Sequence, residues 1–273
     1  MALAAAICAA CGTASAPAVS TSSPAPAVAP VPGVSAEAVR LRTDEAIGGR
    51  FQVRITNTGD APFSVTAVAL ESPGFSVLPA APVAAEFAPR RVIDLPTGYG
   101  EPVCDTAPAP AAARLTVVRG GGAAESVLVP LDGDALDVVH DEECAVRAVG
   151  EVVDIAVTDL ADDGDALVGT LELTRAGGEE PVVASALGRS VLIEATAEDL
   201  PVELAPEDGS VTTAVSFTPA TCDPHVLSET KKPYVFPLTV QVGEADPVPV
   251  DLPFDQAALD RLAALVQRVC AVR

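Results

Sequence analysis

The chain contains the same short stretch twice. Glu143-Cys144-Ala145-Val146-Arg147 lies near the middle, and Val269-Cys270-Ala271-Val272-Arg273 lies at the end. Other features recur at nearly constant spacing: Gly59 and Gly177, Pro62 and Pro181, Cys104 and Cys222, and Cys144 and Cys270 are 118, 119, 118 and 126 residues apart. Spacing this regular predicts two copies of one folding unit in series.

Each copy has the pattern of an antiparallel β-sandwich. Phe51, Val53 and Ile55 alternate with polar residues, as in a strand with one buried face. Residues 56–60 are predicted to form a turn. Further short apolar runs follow, separated by clusters of Gly, Pro and Asp. These further runs are Phe75–Leu78, Arg91–Leu95, Leu115–Val118 and Val127–Leu131. About seven short strands at this spacing predict an all-β fold, with an immunoglobulin-like sandwich in each copy.

The second copy keeps the same order of features. Leu167, Gly169, Leu171 and Leu173 alternate as a strand. Each copy is expected to end in a short helix. In copy two, Asp255 is the predicted N-cap, and the apolar face consists of Leu259, Leu262, Val266 and Val269. In copy one, the helix is predicted to be shorter and more acidic, over residues 134–143.

The N-terminal residues differ from the rest of the chain. Residues 1–11 form a short apolar run that ends in Ala9-Ala10-Cys11, which resembles the end of a bacterial lipobox, so Cys11 is the predicted lipidation site. Residues 12–34 are uncharged and rich in Pro, Ser and Ala, which predicts a semi-stiff tether. Residues 35–147 and 148–273 are the predicted first and second modules.

Composition limits the function classes. The net charge of −22 leaves no large basic surface for nucleic acid. Aromatic residues are only 3% of the chain and Trp is absent, so the cores must be built from aliphatic side chains. The apolar run of residues 1–10 is too short to cross a membrane as a helix, so contact with a membrane is expected through the lipid anchor alone.

Four cysteines remain after Cys8 and Cys11. In an oxidising compartment, a duplicated module should carry its bridge inside itself, which selects one pairing of the three possible. The predicted disulfides are Cys104–Cys144 and Cys222–Cys270. The Cys-x-x-His spacing of Cys222 and His225 also suits a metal, but two donors are too few for a site.

The loop after Cys222 is the candidate binding loop. It contains both lysines of the chain and one of its two histidines, whereas copy one has the inert residues 106–111 at this point. A divergent loop on a repeated scaffold favours recognition. The candidate binding residues are Asp223, His225, Glu229, Lys231, Lys232 and Tyr234.

An acidic turn in copy two is a weak candidate for a calcium site. Asp159, Asp162, Asp163 and Asp165 surround Gly164. Oxygen-rich turns bind calcium, but Asp-Gly is also ordinary hairpin chemistry, so a solvated turn is the favoured interpretation and no metal or other cofactor is predicted.

No catalytic motif is present in the sequence. The chain lacks a nucleophile elbow, a phosphate loop, a dinucleotide fingerprint and a His-Glu-x-x-His pair. Carboxylate pairs stay open because acidic residues are so numerous. A non-enzymatic protein is the expectation, with a carboxylate-pair hydrolase as the third choice.

Two stretches resemble known proteins. Residues 56–65 resemble the Asn-x-Gly-x-x-Pro element of bacterial immunoglobulin-like modules of the cell envelope, and residues 222–225 look like an element of secreted proteins of high-GC Gram-positive bacteria. The chain thus resembles secreted or lipoprotein-type proteins with tandem immunoglobulin-like modules. The resemblance implies a location outside the cytoplasm and a binding or structural role.

The sequence therefore predicts an exported, lipid-anchored protein at the cell surface. Its expected role is to bind an envelope protein or glycan. The alternative is a structural module that positions a partner protein through its terminal helix.

Overall fold

The structure, a computed structural model, describes residues 28–271, which contain fifteen strands and four helices. The first half comprises β1 (Val34–Val39), α1 (Arg42–Ile47), β2 (Arg50–Asn57), β3 (Phe63–Glu71), β4 (Ala81–Phe87), β5 (Val92–Gly98), β6 (Ala112–Arg119), β7 (Glu125–Asp132) and α2 (Ala135–Val152). The second comprises β8 (Val153–Asp163), β9 (Ala166–Arg175), β10 (Val182–Leu187), β11 (Ile193–Ala197), β12 (Val202–Leu204), β13 (Ser210–Pro219), α3 (Pro224–Glu229), β14 (Pro237–Val242), β15 (Val248–Asp251) and α4 (Gln256–Ala271).

Strands β1 to β7 form one curled sheet in the order β4-β3-β6-β7-β1-β2-β5. Strand β1 pairs parallel with β7, and all the other pairings in this sheet are antiparallel. The sheet folds over so that β5 packs against β3 and β4. Its enclosed face holds a core of mainly aliphatic side chains with a few phenylalanines. The first half is therefore a sandwich closed at one side by the shared strand β7.

Strands β8 to β15 form two four-stranded sheets. Their orders are β11-β13-β9-β8 and β12-β10-β14-β15. A second core lies between these sheets and under α4. Phe217, Phe236 and Phe254 contact one another there, with ring centroids 5.1 to 5.7 Å apart. The chain is thus mostly β and sandwich-like, as the alternating pattern predicts.

The strand pattern around Phe51 differs from the prediction at Gln52. Phe51, Val53 and Ile55 are fully buried, as predicted, but Gln52 is also buried although it lies on the opposite face of the strand. The reason is α1, whose Asp44 carboxylate accepts a hydrogen bond from the side-chain amide of Gln52 at 2.6 Å and another from the Arg50 guanidinium at 2.7 Å. Burial alone would raise the pKa of Asp44, but these hydrogen bonds and one from the Leu41 amide outweigh it and lower that pKa.

The predicted strand over Phe75–Leu78, the strands missed by the prediction and the end of the predicted tether need correction. The run Phe75–Leu78 is not a strand, because Phe75 forms only an isolated bridge to Pro102. Strands β1 and β4 are not predicted from the sequence because they are rich in alanine, which is a weak strand former. Strand β1 also begins at Val34, the last residue of the predicted tether.

The helix at the end of the first half is longer than predicted. Helix α2 has 18 residues and α4 has 16, so the prediction of a shorter helix over residues 134–143 is wrong. The helix continues over residues 144–152, where Val149 is buried in the second core and Val152 packs against it. The predicted boundary between residues 147 and 148 therefore lies inside α2. At α4, Asp255 caps the helix as predicted and accepts a hydrogen bond from the Ala258 amide at 2.8 Å.

Two disulfides connect loops to these helices. Cys104 is bonded to Cys144 in α2, and Cys222 is bonded to Cys270 in α4. These are the pairs that the sequence repeat predicts. Each closes a stretch of 40 or 48 residues, for which loop entropy gives a stabilisation of about 4 kcal/mol. Disulfides of this kind indicate an oxidising environment outside the cytoplasm.

Two different side chains hold the turns that follow β2 and β9. Asn57, at the end of β2, is buried and donates hydrogen bonds to the carbonyl oxygens of Ala61 and Phe87, both at 2.9 Å. Arg175, at the end of β9, donates to the carbonyl oxygens of Glu180 at 3.0 Å and Leu204 at 3.2 Å. Phe87 and Leu204 end β4 and β12. Each side chain thus links its own turn to the end of a strand.

Removing the hydrogen bonds of either Asn57 or Arg175 should destabilise the protein. Asn57→Ala leaves two carbonyl groups and the Gly59 amide without their side-chain partner, and we expect the free energy of unfolding to fall by about 2 kcal/mol. Arg175→Ala, at a more exposed site, should cost about 1 kcal/mol. Urea denaturation measures both. Thr66→Ala, which removes one exposed 3.4 Å hydrogen bond, is the control, and equal effects of Asn57→Ala and the control would contradict the role of Asn57.

Candidate functional site

Helix α2 contributes to both cores. Leu136 and Val139, in its first half, are buried in the first core. Val149 is buried in the second core, and Val152 packs against it. The turn of α2 between these residues contains Cys144, which is bonded to Cys104 of the first half through a disulfide. One helix therefore forms the junction between the two parts of the protein.

Polar contacts also hold the middle of α2 against the first half. Glu142 pairs with Arg40 at 2.6 Å, and Glu143 accepts a hydrogen bond from the Tyr99 hydroxyl at 2.8 Å. Burial and this hydrogen bond raise the pKa of Tyr99 to about 12. Arg147 donates to the carbonyl oxygen of Pro102 at 3.3 Å. The two acidic side chains thus have defined partners on the first sandwich.

On its other side, α2 runs beside strand β15, and the two elements enclose an open hollow of about 630 Å³. We call this hollow and its continuation the α2–β15 groove. Its lining comprises Asp141, Glu142, Glu143, Ala145, Val146, Asp246, Pro247, Val248, Pro249, Val250 and Asp251. The continuation, of about 440 Å³, lies along Ala148, Val149, Val152, Glu180, Val242 and Ala245. The floor is aliphatic and the charged lining residues are all acidic.

The predicted binding loop is built on a short helix. Asp223 caps α3 by accepting hydrogen bonds from the amides of His225 at 2.8 Å and Val226 at 3.3 Å. Its neighbour Cys222 is bonded to α4. The side chains of His225, Glu229 and Lys231 are exposed. A loop that is fixed by a disulfide and a helix cap therefore presents three polar side chains to solvent.

The other two loop candidates lie against the protein. A Cβ built on Gly48 would lie 3.7 Å from the Lys232 ammonium nitrogen, so this lysine reaches the first half of the chain near the end of α1. Tyr234 is half-buried against the second core, and burial raises its pKa. Lys232 and Tyr234 thus contribute to the junction and to packing as well as to the loop surface.

The acidic turn forms a contact with α4. Asp162 pairs with Arg268 at 3.0 Å and with Arg261 at 3.6 Å, and Arg268 also donates to the carbonyl oxygen of Gly164 at 3.2 Å. Among residues 28–271, no three His, Cys, Asp or Glu side chains are placed to hold a metal ion, and Asp159, Asp163 and Asp165 supply no such group. The turn is therefore part of the packing of α4, and the geometry provides no support for the calcium hypothesis.

His140 is buried near the first disulfide. Its Nε2 lies 3.2 Å from the carbonyl oxygen of Val103 and 3.7 Å from Sγ of Cys144, and its ring meets Phe75 edge-on at 5.4 Å. His225 lies on the exposed loop of the other half. In the described part of the chain, the two histidines thus occupy separate sites, and Cys222 is used in a disulfide.

The proposed lipidation site Cys11 and residues 1–27 lie outside the described residues. Within residues 28–271, no helix combines the length and the apolar character needed to cross a membrane.

Comparisons with known proteins identify no family. No protein-family model matches the chain, and no curated protein is significantly similar to it. Solved structures match only distantly. The red sea bream transglutaminase has 11% identity over 82% of this chain, with a TM-score of 0.23, and the chain spans 32% of its length. The YadV chaperone has 12% identity and a TM-score of 0.23, with 81% of this chain and 100% of that chain covered.

A Porphyromonas gingivalis W83 protein of unknown function has 16% identity and a TM-score of 0.21, with 80% of this chain and 96% of that chain covered. TM-scores this low carry no functional argument.

The groove could not be found from the sequence. The helix predicted over residues 134–143 ends before Ala145, Val146 and Val149, so none of these three residues is predicted to be helical. The available signal was their spacing, since positions 145, 146 and 149 share a face when the helix continues.

A helix breaker inside α2 tests the continuity of the junction. Ala148→Pro should lower the free energy of unfolding by about 3 kcal/mol, because Ala148 is in the helix interior and proline removes a backbone hydrogen bond there. Ala123→Pro, at an exposed position in the loop between β6 and β7, should have a much smaller effect. Urea denaturation compares the two variants, and equal losses of stability would show that residues 147–152 are not helical.

Proposed function

We propose that the chain is an exported, non-enzymatic protein that binds a partner at the cell envelope through the loop of residues 223–234. The observation that carries this proposal is the construction of the loop. A disulfide and a helix cap hold it in place, while His225, Glu229 and Lys231 remain exposed. A fixed loop loses little conformational entropy on binding, which favours a recognition role.

The proposal includes a duplicated immunoglobulin-like module. The backbone contacts at the two turns support it: the Thr58 amide donates to the carbonyl of Gly33, and the Ala176 amide donates to that of Val152. Each contact joins the turn to the residue directly before the first strand of its half. The offset of these donors is 118 residues, the same as that of Cys104 and Cys222. Asn57 and Arg175 occupy equivalent places and perform the same role with different chemistry.

Glycines at the two turns support the duplication further. A Cβ on Gly59 would lie 3.3 Å from Cα of Gly33, and a Cβ on Gly177 would lie 2.7 Å from the carbonyl oxygen of Glu151. Both turns therefore need the same close approach of two backbone segments. This shared requirement explains why glycine recurs at an offset of 118 residues although neighbouring residues have changed.

We further propose that Cys11 carries a lipid and that the residues between Cys11 and the first sandwich act as a tether, as in secreted proteins and lipoproteins of high-GC Gram-positive bacteria. The lipobox-like sequence before Cys11 and the disulfides support this location. The partner in this proposal is an envelope protein or glycan.

The terminal helix is less suited to partner binding. Leu262, Leu265, Val266 and Val269 of α4 are buried in the second core. Arg261 and Arg268 contact the acidic turn. Since the apolar face of α4 is used inside its own half, the loop is the better candidate.

A surface variant of the loop tests the proposal. The triple variant His225→Ala, Glu229→Ala, Lys231→Ala keeps Asp223, Cys222 and Tyr234, so we expect an unchanged melting temperature. In an affinity purification from an envelope extract of the producing cells, the partner retained by the wild-type protein should be lost. Arg189→Ala with Glu194→Ala, which removes an exposed pair on the same half, is the control and should retain it.

Retention of the same partner by the loop variant and the wild type would contradict the proposed role of the loop. The intact mass of protein purified from the same cells provides a second readout. We expect a mature chain that begins at Cys11 with a lipid attached and contains two disulfides. An unmodified N-terminus that retains residues 1–10 would exclude the lipid anchor.

A further inference from the structure

The α2–β15 groove shares no residue with the loop of residues 223–234. We propose that this groove is a second binding surface, which docks a basic amphipathic helix of a partner protein. Charge, apolar lining and the form of the β15 edge lead to this partner.

The floor of the groove suits aliphatic side chains. Ala145 and Val146 of α2 face Val248 and Val250 of β15 across the main hollow, and Val146 is 39% exposed. The two hollows have volumes of about 630 and 440 Å³ and have Ala145, Asp246 and Val248 in common. Their volumes are in the range of about 300–1,000 Å³ that is usual for ligand-binding clefts. The floor can therefore accept several apolar side chains from one partner segment.

The rim of the groove is acidic. Its carboxylates are those of Asp141, Glu142, Glu143, Glu180, Asp246 and Asp251, and no Lys, Arg or His is among the lining residues described.

Glu142 is paired with Arg40 and Glu143 with Tyr99. Asp246 and Asp251 are exposed and form no ion pair within residues 28–271. A rim of this kind is complementary to lysine and arginine.

A second copy of the chain is a poor match for this rim. Each copy has a net charge of −22, so two copies repel each other. An anionic lipid or phosphate group is excluded by the same charge. A partner with a basic face is the chemistry that remains.

The edge of β15 decides between a helix and an added strand. The Leu252 amide donates to the carbonyl of Phe236, so Val250 and Val248, which follow the same alternation, direct their amides towards β14. Positions 249 and 251 therefore face the open edge, and position 249 is a proline without an N–H. A further strand would lack a central donor there, so the occupant is a helix that binds through its side chains.

A synthetic peptide provides the probe. A 14-residue amphipathic helix made of Leu and Lys should bind the full chain, and its binding should shift the amide resonances of residues 141–152 and 246–251 in heteronuclear NMR spectra. A peptide of the same pattern with Glu in place of Lys should not bind. A Lys and Ser peptide without an apolar face should bind at least tenfold more weakly. These controls separate groove binding from general attraction to an acidic protein.

Charge variants test the site within the protein. Asp246→Asn with Asp251→Asn should raise the Kd for the Leu and Lys peptide about tenfold, because two exposed carboxylates that pair with its lysines are removed. Asp163→Asn with Asp165→Asn removes the same number of exposed charges from the β8–β9 hairpin and should change the Kd less than twofold. Amide shifts outside the groove, or equal effects of the two charge variants, would overturn the proposal. The Leu and Glu peptide binding as tightly as the Leu and Lys peptide would also overturn it.

Discussion

The packing of α2 into two hydrophobic cores is the interaction on which the arrangement of this protein depends. Leu136 and Val139 belong to the first core, and Val149 and Val152 pack in or against the second. Between them, the Cys104–Cys144 disulfide fixes the helix to the first half. Because one continuous helix has partners in both cores, we expect the two sandwiches to keep a defined angle to each other. The groove beside β15 exists only because this helix does not end after the first sandwich.

The repeated pattern in the sequence predicts much of the fold. The alternation around Phe51 and Leu171 identifies buried strand faces, and the repeated cysteines identify the two bridges. Turn chemistry is harder to predict, because Asn57 and Arg175 look unrelated as residue types. Both donate hydrogen bonds to carbonyl groups at the end of a neighbouring strand. The role at this turn is to supply donors, and an amide and a guanidinium both do so.

The candidate surfaces differ in how far the sequence reveals them. The loop after Cys222 stands out because it contains both lysines of the chain and one of its two histidines. The α2–β15 groove joins residues about 100 positions apart, for example Val146 and Val248, whose proximity depends on tertiary packing. Gln52 is a similar case, since only the position of Asp44 in α1 explains its burial. Alanine-rich strands such as β4 were missed because their local preference is weak and pairing with β3 determines them.

The fixed orientation of the two sandwiches can be tested by residual dipolar couplings of backbone amides in a weakly aligned sample. We expect one alignment tensor to fit the couplings of residues 34–132 and residues 153–251 together, because α2 joins both cores as a single helix. Two tensors of clearly different magnitude or orientation, each fitting one set alone, would show that the sandwiches move independently. That result would contradict the role of α2 as a shared structural element.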